Sequence, residues 1–212
     1  MEQVLLTFEV IGIVTAAIAG SMQAIDKKVD LFGVVLLGMV TGLGGGITRD
    51  LILGDMPPRS FSTPIYIWSA FIPPLIVFLL AWAFQSFYKR EAQLIDRINN
   101  IFDALGLGAF AVGGAAVARS LGFEDHAGIV IFSGAITAVG GGILRDVLLR
   151  EIPFILKKRV YAIAAIAGSA LYCILLRLGA GEIWSSVAGV AVVFILRILA
   201  TIFHWNFPKA IK

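Results

Sequence analysis

Charge, cysteine and histidine are all scarce in this chain. Of its 212 residues, 15% are charged and 59% are apolar, whereas soluble domains carry about 25% charged and about 45–50% apolar residues. A single soluble domain could not cover that much apolar surface with so few polar groups. The lone Cys173 cannot support a disulfide framework or a cysteine metal cluster. These shortages exclude an ordinary cytoplasmic enzyme, a nucleic-acid-binding protein and a disordered chain, and they predict a polytopic membrane protein.

Candidate catalytic and cofactor sites are missing as well. His126 and His204 are isolated, and no cluster of His, Asp or Glu has the spacing of a metal site. The glycine-rich residues 42–47 lack the last glycine of a dinucleotide fingerprint, and no Gly-Lys-Ser/Thr follows them as a P-loop requires. We therefore expect no enzyme activity, no metal and no cofactor.

Seven apolar runs are long enough to cross a bilayer, which takes about 20 residues per helix. The predicted helices cover residues 4–25, 32–53, 65–87, 101–121, 127–149, 160–178 and 183–203. The loops are short, so we expect one all-α transmembrane domain over residues 1–212, without a separate soluble domain. Because the N-terminal segment is acidic rather than basic, the first run is interpreted as a retained helix and not as a signal peptide. Pro73 and Pro74 predict a kink in the third helix, since each proline removes a backbone donor.

The basic residues of the loops predict the orientation. The side that holds the C-terminus carries most of them: Lys27, Lys28, Lys89, Arg90, Arg97, Arg150, Lys157, Lys158, Arg159, Lys209 and Lys212. The opposite side has Arg59, Arg119 and Arg177. By the positive-inside rule, the C-terminus is predicted in the cytoplasm and the N-terminus outside the plasma (inner) membrane. Arg197, near the end of the seventh helix, is expected to snorkel to the cytoplasmic interface.

An internal repeat is the strongest pattern in the chain. Residues 38–57 read GMVTGLGGGITRDLILGDMP and residues 134–153 read GAITAVGGGILRDVLLREIP, with ten of the twenty positions identical. Glu9 in the first helix aligns likewise with Asp103 in the fourth. The two three-helix repeats and the solitary seventh helix are predicted to cover residues 4–87, 101–178 and 183–203. Because three is odd, the second repeat must enter the membrane from the opposite side, an inverted architecture that recurs in transport proteins.

The three consecutive glycines of each repeat need a physical reason, because a glycine inside a helix costs about 1 kcal/mol relative to alanine. At four-residue spacing, one helix face carries small residues that allow close packing: Gly38, Gly42 and Gly46, with Gly134, Ala138 and Gly142 in the second copy. A second face presents a hydroxyl, bare backbone and a guanidinium: Thr41, Gly45 and Arg49, with Thr137, Gly141 and Arg145 in the second copy. We interpret the pattern as a break or kink in the second and fifth helices, where they line an aqueous path. The alternative is that the glycines only permit tight packing.

Charged residues follow both glycine motifs inside or at the edge of the hydrocarbon region. They are Arg49, Asp50, Arg145 and Asp146, with Glu9 and Asp103 at matching places in the opening helix of each repeat. A charge at such a depth costs about 2.5–3.5 kcal/mol unless it is paired or hydrated. We therefore predict the ion pairs Glu9–Arg49 and Asp103–Arg145, with the adjacent aspartates competing for both arginines. The alternative is that these pairs only lock helices together.

The doubled Gly-Gly-Gly-x-x-Arg-Asp motif, in inverted three-helix repeats followed by a seventh helix, resembles the prokaryotic branch of the trimeric intracellular cation (TRIC) channels. The resemblance covers nearly the whole chain. It implies a homotrimer in which each subunit has its own pore along the second and fifth helices, for monovalent cations and mainly potassium. The hinge glycines it implies are Gly44, Gly45, Gly46, Gly140, Gly141 and Gly142, and the motif charges are Arg49, Asp50, Arg145 and Asp146. The fifth helix lacks a basic pair matching the one that binds an inositol lipid in the animal relatives, so that lipid is not expected.

Two functions remain open at this point. The first is a channel for potassium or sodium ions, which would pass partly hydrated because the sequence has no Thr-Val-Gly-Tyr-Gly filter. The second is a secondary transporter of a small zwitterion such as glycine, in which Arg49 or Arg145 would bind the carboxylate. Bacterial relatives have been described by analogy as glycine transporters. In both cases the expected partners are the transported species, membrane lipid and further copies of the chain.

Overall fold

All of the secondary structure in the described part of the chain is helical. The computed structural model describes residues 2–157 and 160–205. Its elements are α1 (Glu2–Asp26), α2 (Leu31–Leu53), α3 (Arg59–Ser62), α4 (Pro64–Ala83), α5 (Gln85–Arg90), α6 (Ala92–Ala118), a π-helical turn (Arg119–Phe123), α7 (Ala127–Leu148), α8 (Phe154–Lys157), α9 (Val160–Arg177) and α10 (Glu182–Ile202). Seven of these helices are long and apolar enough to cross a membrane: α1, α2, α4, α6, α7, α9 and α10. Some basic residues used to predict the orientation lie outside the described residues, namely Lys158, Arg159, Lys209 and Lys212.

The two repeats are packed against each other and share a core. α1, α2 and α4 contact one another, as do α6, α7 and α9, and the repeats meet where α1 packs on α6 and α2 packs on α7. The core at this junction takes Ile13 and Leu43 from the first repeat and Leu107 and Phe110 from the second. α10 packs on α6 and α9 of the second repeat. The predicted fold, two inverted three-helix repeats plus a seventh helix, is confirmed.

The ends of two spanning helices differ from the prediction. α6 begins at Ala92 rather than at residue 101, because the polar segment 92–100 contains good helix formers that extend it beyond the apolar run. α4 ends at Ala83, and the short helix α5 follows Phe84, whose backbone has left the helical region at φ −114° and ψ 41°. Apolarity alone marks where a helix can be buried, and it does not mark where the helix ends.

The third spanning helix, α4, contains the two prolines. It runs through both Pro73 and Pro74 as one helix. The Pro74 ring is buried against α2 at Gly38, where an added methyl group would overlap it. Close packing between α2 and α4 therefore accounts for a proline and a glycine facing each other.

A residue in the left-handed conformation follows both α2 and α7, but it is a different amino acid in each repeat. After α2, Gly54 takes the left-handed conformation with φ 74°, which glycine adopts without a side-chain clash. The equivalent residue after α7 is Arg150, with φ 57°. A side chain in this region costs about 1–2 kcal/mol, so Arg150 carries strain that Gly54 avoids.

Arg150→Gly is expected to stabilise the protein by about 1 kcal/mol, because glycine removes the left-handed strain. The measurement is the unfolding midpoint in a titration of the detergent-solubilised protein with sodium dodecyl sulfate. Gly54→Ala is the matched control and should lower that midpoint. Unchanged midpoints for both variants would contradict the assigned role of these two residues.

Candidate functional site

α2 and α7 cross in direct backbone contact at their glycines. A methyl group on Gly45 would overlap the carbonyl oxygen of Thr137, and one on Gly141 would overlap the carbonyl oxygen of Thr41. Gly140 is also in tight contact, since its added methyl carbon would lie 3.1 Å from the Gly45 Cα atom. The same motif thus supplies both sides of the contact. At these three glycines the two helices pack closely.

The third glycine of each motif has a different environment. A methyl group on Gly46 would have the Arg49 guanidinium as its nearest neighbour, at 3.8 Å, and one on Gly142 would have that of Arg145, at 3.7 Å. Gly46 and Gly142 therefore leave open backbone beside an arginine and are not needed for helix contact. Both α2 and α7 are continuous through their glycines, so neither helix is broken there, and the kink stays a prediction.

The motif threonines are satisfied by their own helices. The Thr41 hydroxyl donates to the Leu37 carbonyl (2.6 Å), and the Thr137 hydroxyl donates to the Ser133 carbonyl (2.6 Å). Thr41 also packs against Gly20, where no side chain could fit.

The remaining motif glycine, Gly44, faces the Leu144 side chain of α7.

A cluster of buried charges lies beside α2 in the first repeat. Arg49 is 2% exposed, and its Nη1 atom lies 3.0 Å from Oε1 of Glu9 on α1. Its Nε donates to Oδ1 of the adjacent Asp50 (2.8 Å). The Tyr66 hydroxyl on α4 donates to the other Glu9 oxygen, Oε2 (2.6 Å). The predicted Glu9–Arg49 ion pair is confirmed, and the three spanning helices of the first repeat meet at it.

The motif aspartates connect each arginine to the loop that follows it. Oδ1 of Asp50 accepts from the adjacent arginine, while Oδ2 accepts from the backbone N–H of Arg59, the first residue of α3 (2.9 Å). Asp146 is placed in the same way, with Oδ2 accepting from the backbone N–H of Phe154, the first residue of α8 (2.7 Å). The Arg-Asp pair of the motif therefore holds a short surface helix in place in each repeat.

The second repeat pairs its charges differently. Oδ1 of Asp103 accepts from the Tyr161 hydroxyl (3.0 Å), but Oδ2 lies 3.2 Å from Nη2 of Arg197 on α10. Arg145 instead contacts Asp146, so the predicted Asp103–Arg145 ion pair is wrong. The prediction that Arg197 snorkels to the interface is also wrong, because its side chain is 2% exposed. α10 packs on α6 and α9, and this brings Arg197 to the partly buried carboxylate of Asp103.

Tyr66 and Tyr161 were not among the predicted site residues, and Arg197 was assigned to the interface rather than to the site. The tyrosines occupy equivalent places in the third helix of each repeat, and both donate to the acid of the opening helix. They escape a simple alignment because the loop after the second motif is one residue shorter. Allowing for that gap would find them. The repeat holds no signal for Arg197, since α10 has no counterpart in the first repeat.

A narrow cavity of about 10 Å³ lies between the repeats beside the first charge cluster. Its lining includes Glu9, Gly46, Arg49, Tyr66, Phe110 and Thr137, which come from α1, α2, α4, α6 and α7. Both repeats therefore enclose it, as expected of a site at a repeat junction. At the other end of α1, a more open cavity of about 170 Å³ is lined by Asp146, Phe154 and the exposed ion pair Lys27–Glu151.

The first cluster is polar and close to balanced in charge. Two carboxylates, Glu9 and Asp50, are matched by two guanidinium groups, those of Arg49 and of Arg59, which also lines the cavity, so these four groups carry no net formal charge. In the described residues, no group of three or more His, Cys, Asp or Glu side chains is arranged to hold a metal ion. The arrangement can attract a small cation or hold a zwitterion.

Known proteins match this chain over most of its length. A family model described as glycine transporter matches residues 6–82 and 100–177, one segment in each repeat. A UPF0126 membrane protein of Deinococcus radiodurans is 37% identical over 163 residues, which are 76% of this chain and 71% of that protein. A UPF0126 membrane protein of Vibrio cholerae is 35% identical over 200 residues, with 94% and 80% covered. The UPF0126 inner membrane protein YadS of Escherichia coli is 32% identical over 205 residues, with 94% and 93% covered.

Solved structures share the fold as well. A TRIC trimeric intracellular cation channel orthologue from Rhodobacter sphaeroides superposes with a TM-score of 0.83 at 35% identity, covering 95% of this chain and 99% of that one. A prokaryotic TRIC channel determined in 0.5 M KCl superposes with a TM-score of 0.84 at 35% identity, covering 98% and 100%. At these identities and coverages the likeness extends beyond general architecture to the repeat arrangement.

Proposed function

This chain belongs to the prokaryotic branch of the TRIC channel family, and from that membership we propose that it is a monovalent cation channel that conducts potassium. The observation that carries the proposal is the cavity between the repeats, where the Glu9 carboxylate lies beside the open backbone of Gly46. A carboxylate in a low-dielectric site raises the local concentration of cations. Because the sequence has no carbonyl-ring filter, potassium and sodium would be separated only weakly.

We place the pore of each subunit along α2 and α7, between the repeats. Its proposed hinge and lining residues are Thr41, Gly44, Gly45, Gly46, Thr137, Gly140, Gly141 and Gly142. The charges proposed to act on the permeating ion are Glu9, Arg49, Asp50, Asp103, Arg145 and Asp146. The narrow cavity and the contact of the two glycine motifs support this placement. The cavity in this structure is too narrow for a hydrated ion, so conduction requires a wider state.

We also propose a homotrimer in the plasma membrane, with the N-terminus outside and the C-terminus in the cytoplasm. The related channels are described as trimeric. The spanning helices expose large apolar side chains such as Phe32 and Phe132, which lipid or neighbouring subunits would cover. The orientation rests on the basic residues of the loops.

Single-channel recording in a planar bilayer under a potassium chloride gradient tests the proposed channel. We expect discrete currents that reverse near the potassium equilibrium potential. Gly46→Val should lower the unitary current by about half or more, because its side chain would narrow the cavity. Gly128→Val is the matched control, since Gly128 lies in open space on α7. Equal currents from the two variants would contradict the pore placement, and a silent wild-type protein would contradict the channel itself.

A secondary transporter of a small zwitterion such as glycine is the second candidate. It is favoured by the description of the family model and by the Arg49 guanidinium at the cavity. Arg49 would bind the carboxylate and Glu9 would hold the amine, as buried charges do in other inverted-repeat transporters. Saturable uptake of labelled glycine into liposomes, without single-channel currents, would establish this function instead.

A further inference from the structure

One position that carries an arginine in the first repeat carries an uncharged residue in the second. In the first repeat, Arg59 begins α3 and donates its backbone N–H to Asp50. In the second repeat, Phe154 begins α8 and donates its backbone N–H to Asp146. Arg59 precedes Tyr66 by the same seven residues that separate Phe154 from the equivalent tyrosine, Tyr161. Phe154 therefore occupies the position of Arg59 and carries no charge there.

Arg197 of α10 brings a guanidinium to this place. Its Cζ atom lies 5.6 Å from the centre of the Phe154 ring and 4.6 Å from the centre of the Tyr161 ring. Its Nη2 lies 3.2 Å from Asp103, the counterpart of Glu9. In the described residues, its buried Nε has no hydrogen-bond partner. An arginine buried with an unsatisfied donor is expensive to keep in a membrane, so packing alone does not explain it.

We propose that Arg197 supplies the second repeat with the cation that Arg59 supplies to the first, and that it thereby sets the electrostatic barrier to cations at the second-repeat end of the pathway. Phe154 lines the open cavity at that end, and Arg197 lies against its ring. A fixed charge this close to a cavity acts on ions within it through space. The seventh helix is then part of the conducting unit. The electrical effect rests on the proposed channel function.

Variants that remove the Arg197 guanidinium, or move it to position 154 of the second repeat, test the proposal. Arg197→Leu leaves Asp103 without its cation, which should lower the thermal unfolding midpoint in detergent. The second-repeat end lies on the proposed cytoplasmic side, so the same variant should raise the outward potassium current by about two-fold or more, and so change the rectification. The double variant Phe154→Arg/Arg197→Leu places a guanidinium at the Arg59-equivalent position. It should restore both the midpoint and the shape of the current–voltage curve.

The double variant Asp103→Asn/Arg197→Leu removes both charges and is the control for net charge. It should return the current–voltage curve toward that of the wild type. If Arg197→Leu lowers the midpoint but leaves the curve unchanged, Arg197 is purely structural and the proposal is overturned. If Arg197→Leu does not fold, the relocated variant decides, because it must fold and conduct like the wild type.

Failure of the proposed channel would give a separate result. A wild-type protein without current would refute the channel but would leave the unfolding midpoints to be compared. Recovery of the midpoint by the relocated arginine would still show that Arg197 replaces the missing cation of the second repeat. No recovery would overturn the inference whatever the wild-type protein transports.

Discussion

Arg49→Leu is expected to lower the free energy of unfolding by about 3–5 kcal/mol, because removing one partner of a buried ion pair leaves an uncompensated charge. The loss affects two carboxylates at once. Asp50 is fully buried, and Glu9 is also buried, with Tyr66 as its other polar partner. The measurement is the unfolding midpoint in a sodium dodecyl sulfate titration, with the fraction of folded protein followed by circular dichroism.

Two variants make the Arg49 experiment specific. Arg59→Leu breaks the partly exposed ion pair with Asp55, which should cost about 1 kcal/mol or less because solvent screens such pairs. Glu9→Gln/Arg49→Leu removes both charges of the buried pair and should recover part of the lost stability. If Arg49→Leu unfolds at the same midpoint as Arg59→Leu, the cluster does not stabilise the fold in the way its geometry indicates.

Alanine substitutions at neighbouring glycines of one motif are expected to change the free energy of unfolding in opposite directions. Gly45→Ala and Gly141→Ala should each destabilise the protein by about 1–3 kcal/mol or more, because the methyl group meets a rigid backbone carbonyl of the facing helix. Gly46→Ala and Gly142→Ala have room for the methyl group and gain helix propensity. These two should be neutral or stabilising by up to about 1 kcal/mol.

The four alanine variants can be compared in a single assay of folded yield and unfolding midpoint in the same detergent. Gly45 and Gly46 are adjacent glycines of one helix, as are Gly141 and Gly142. Within each pair, one variant is therefore the control for the other. Equal destabilisation at Gly45 and Gly46 would mean that the motif is sensitive to any added side chain. That outcome would contradict the direct contact between α2 and α7.

Most of the fold follows from hydropathy and self-similarity, and the reason is physical. A bilayer imposes one length on every span, so the seven apolar runs already mark the helices. The repeat places Glu9 and Arg49 on neighbouring helices of one three-helix unit, and the cost of an unpaired charge brings them together. The same reasoning paired Asp103 with Arg145 and failed, because a helix outside the repeat provides a competing cation.

The environment of individual glycines was harder to predict. A four-residue spacing shows that Gly38, Gly42 and Gly46 share a face, but it does not show which helix covers each turn. In the structure, Gly38 faces Pro74 of α4, while Gly46 faces the Arg49 side chain of the same helix. A helix with neighbours on several sides has several faces in contact, so spacing within one helix cannot distinguish them.

The two oxygens of each motif aspartate couple the position of a short surface helix to that of a buried arginine. In Asp50, one oxygen is fixed to the first peptide N–H of α3 and the other to the Arg49 side chain. A carboxylate is rigid, so α3 cannot rotate without turning the guanidinium or breaking one of these bonds. Asp146 couples α8 to the arginine of the second repeat by the same linkage. A displacement of α3 or α8 would thereby be transmitted to the buried arginine of its repeat.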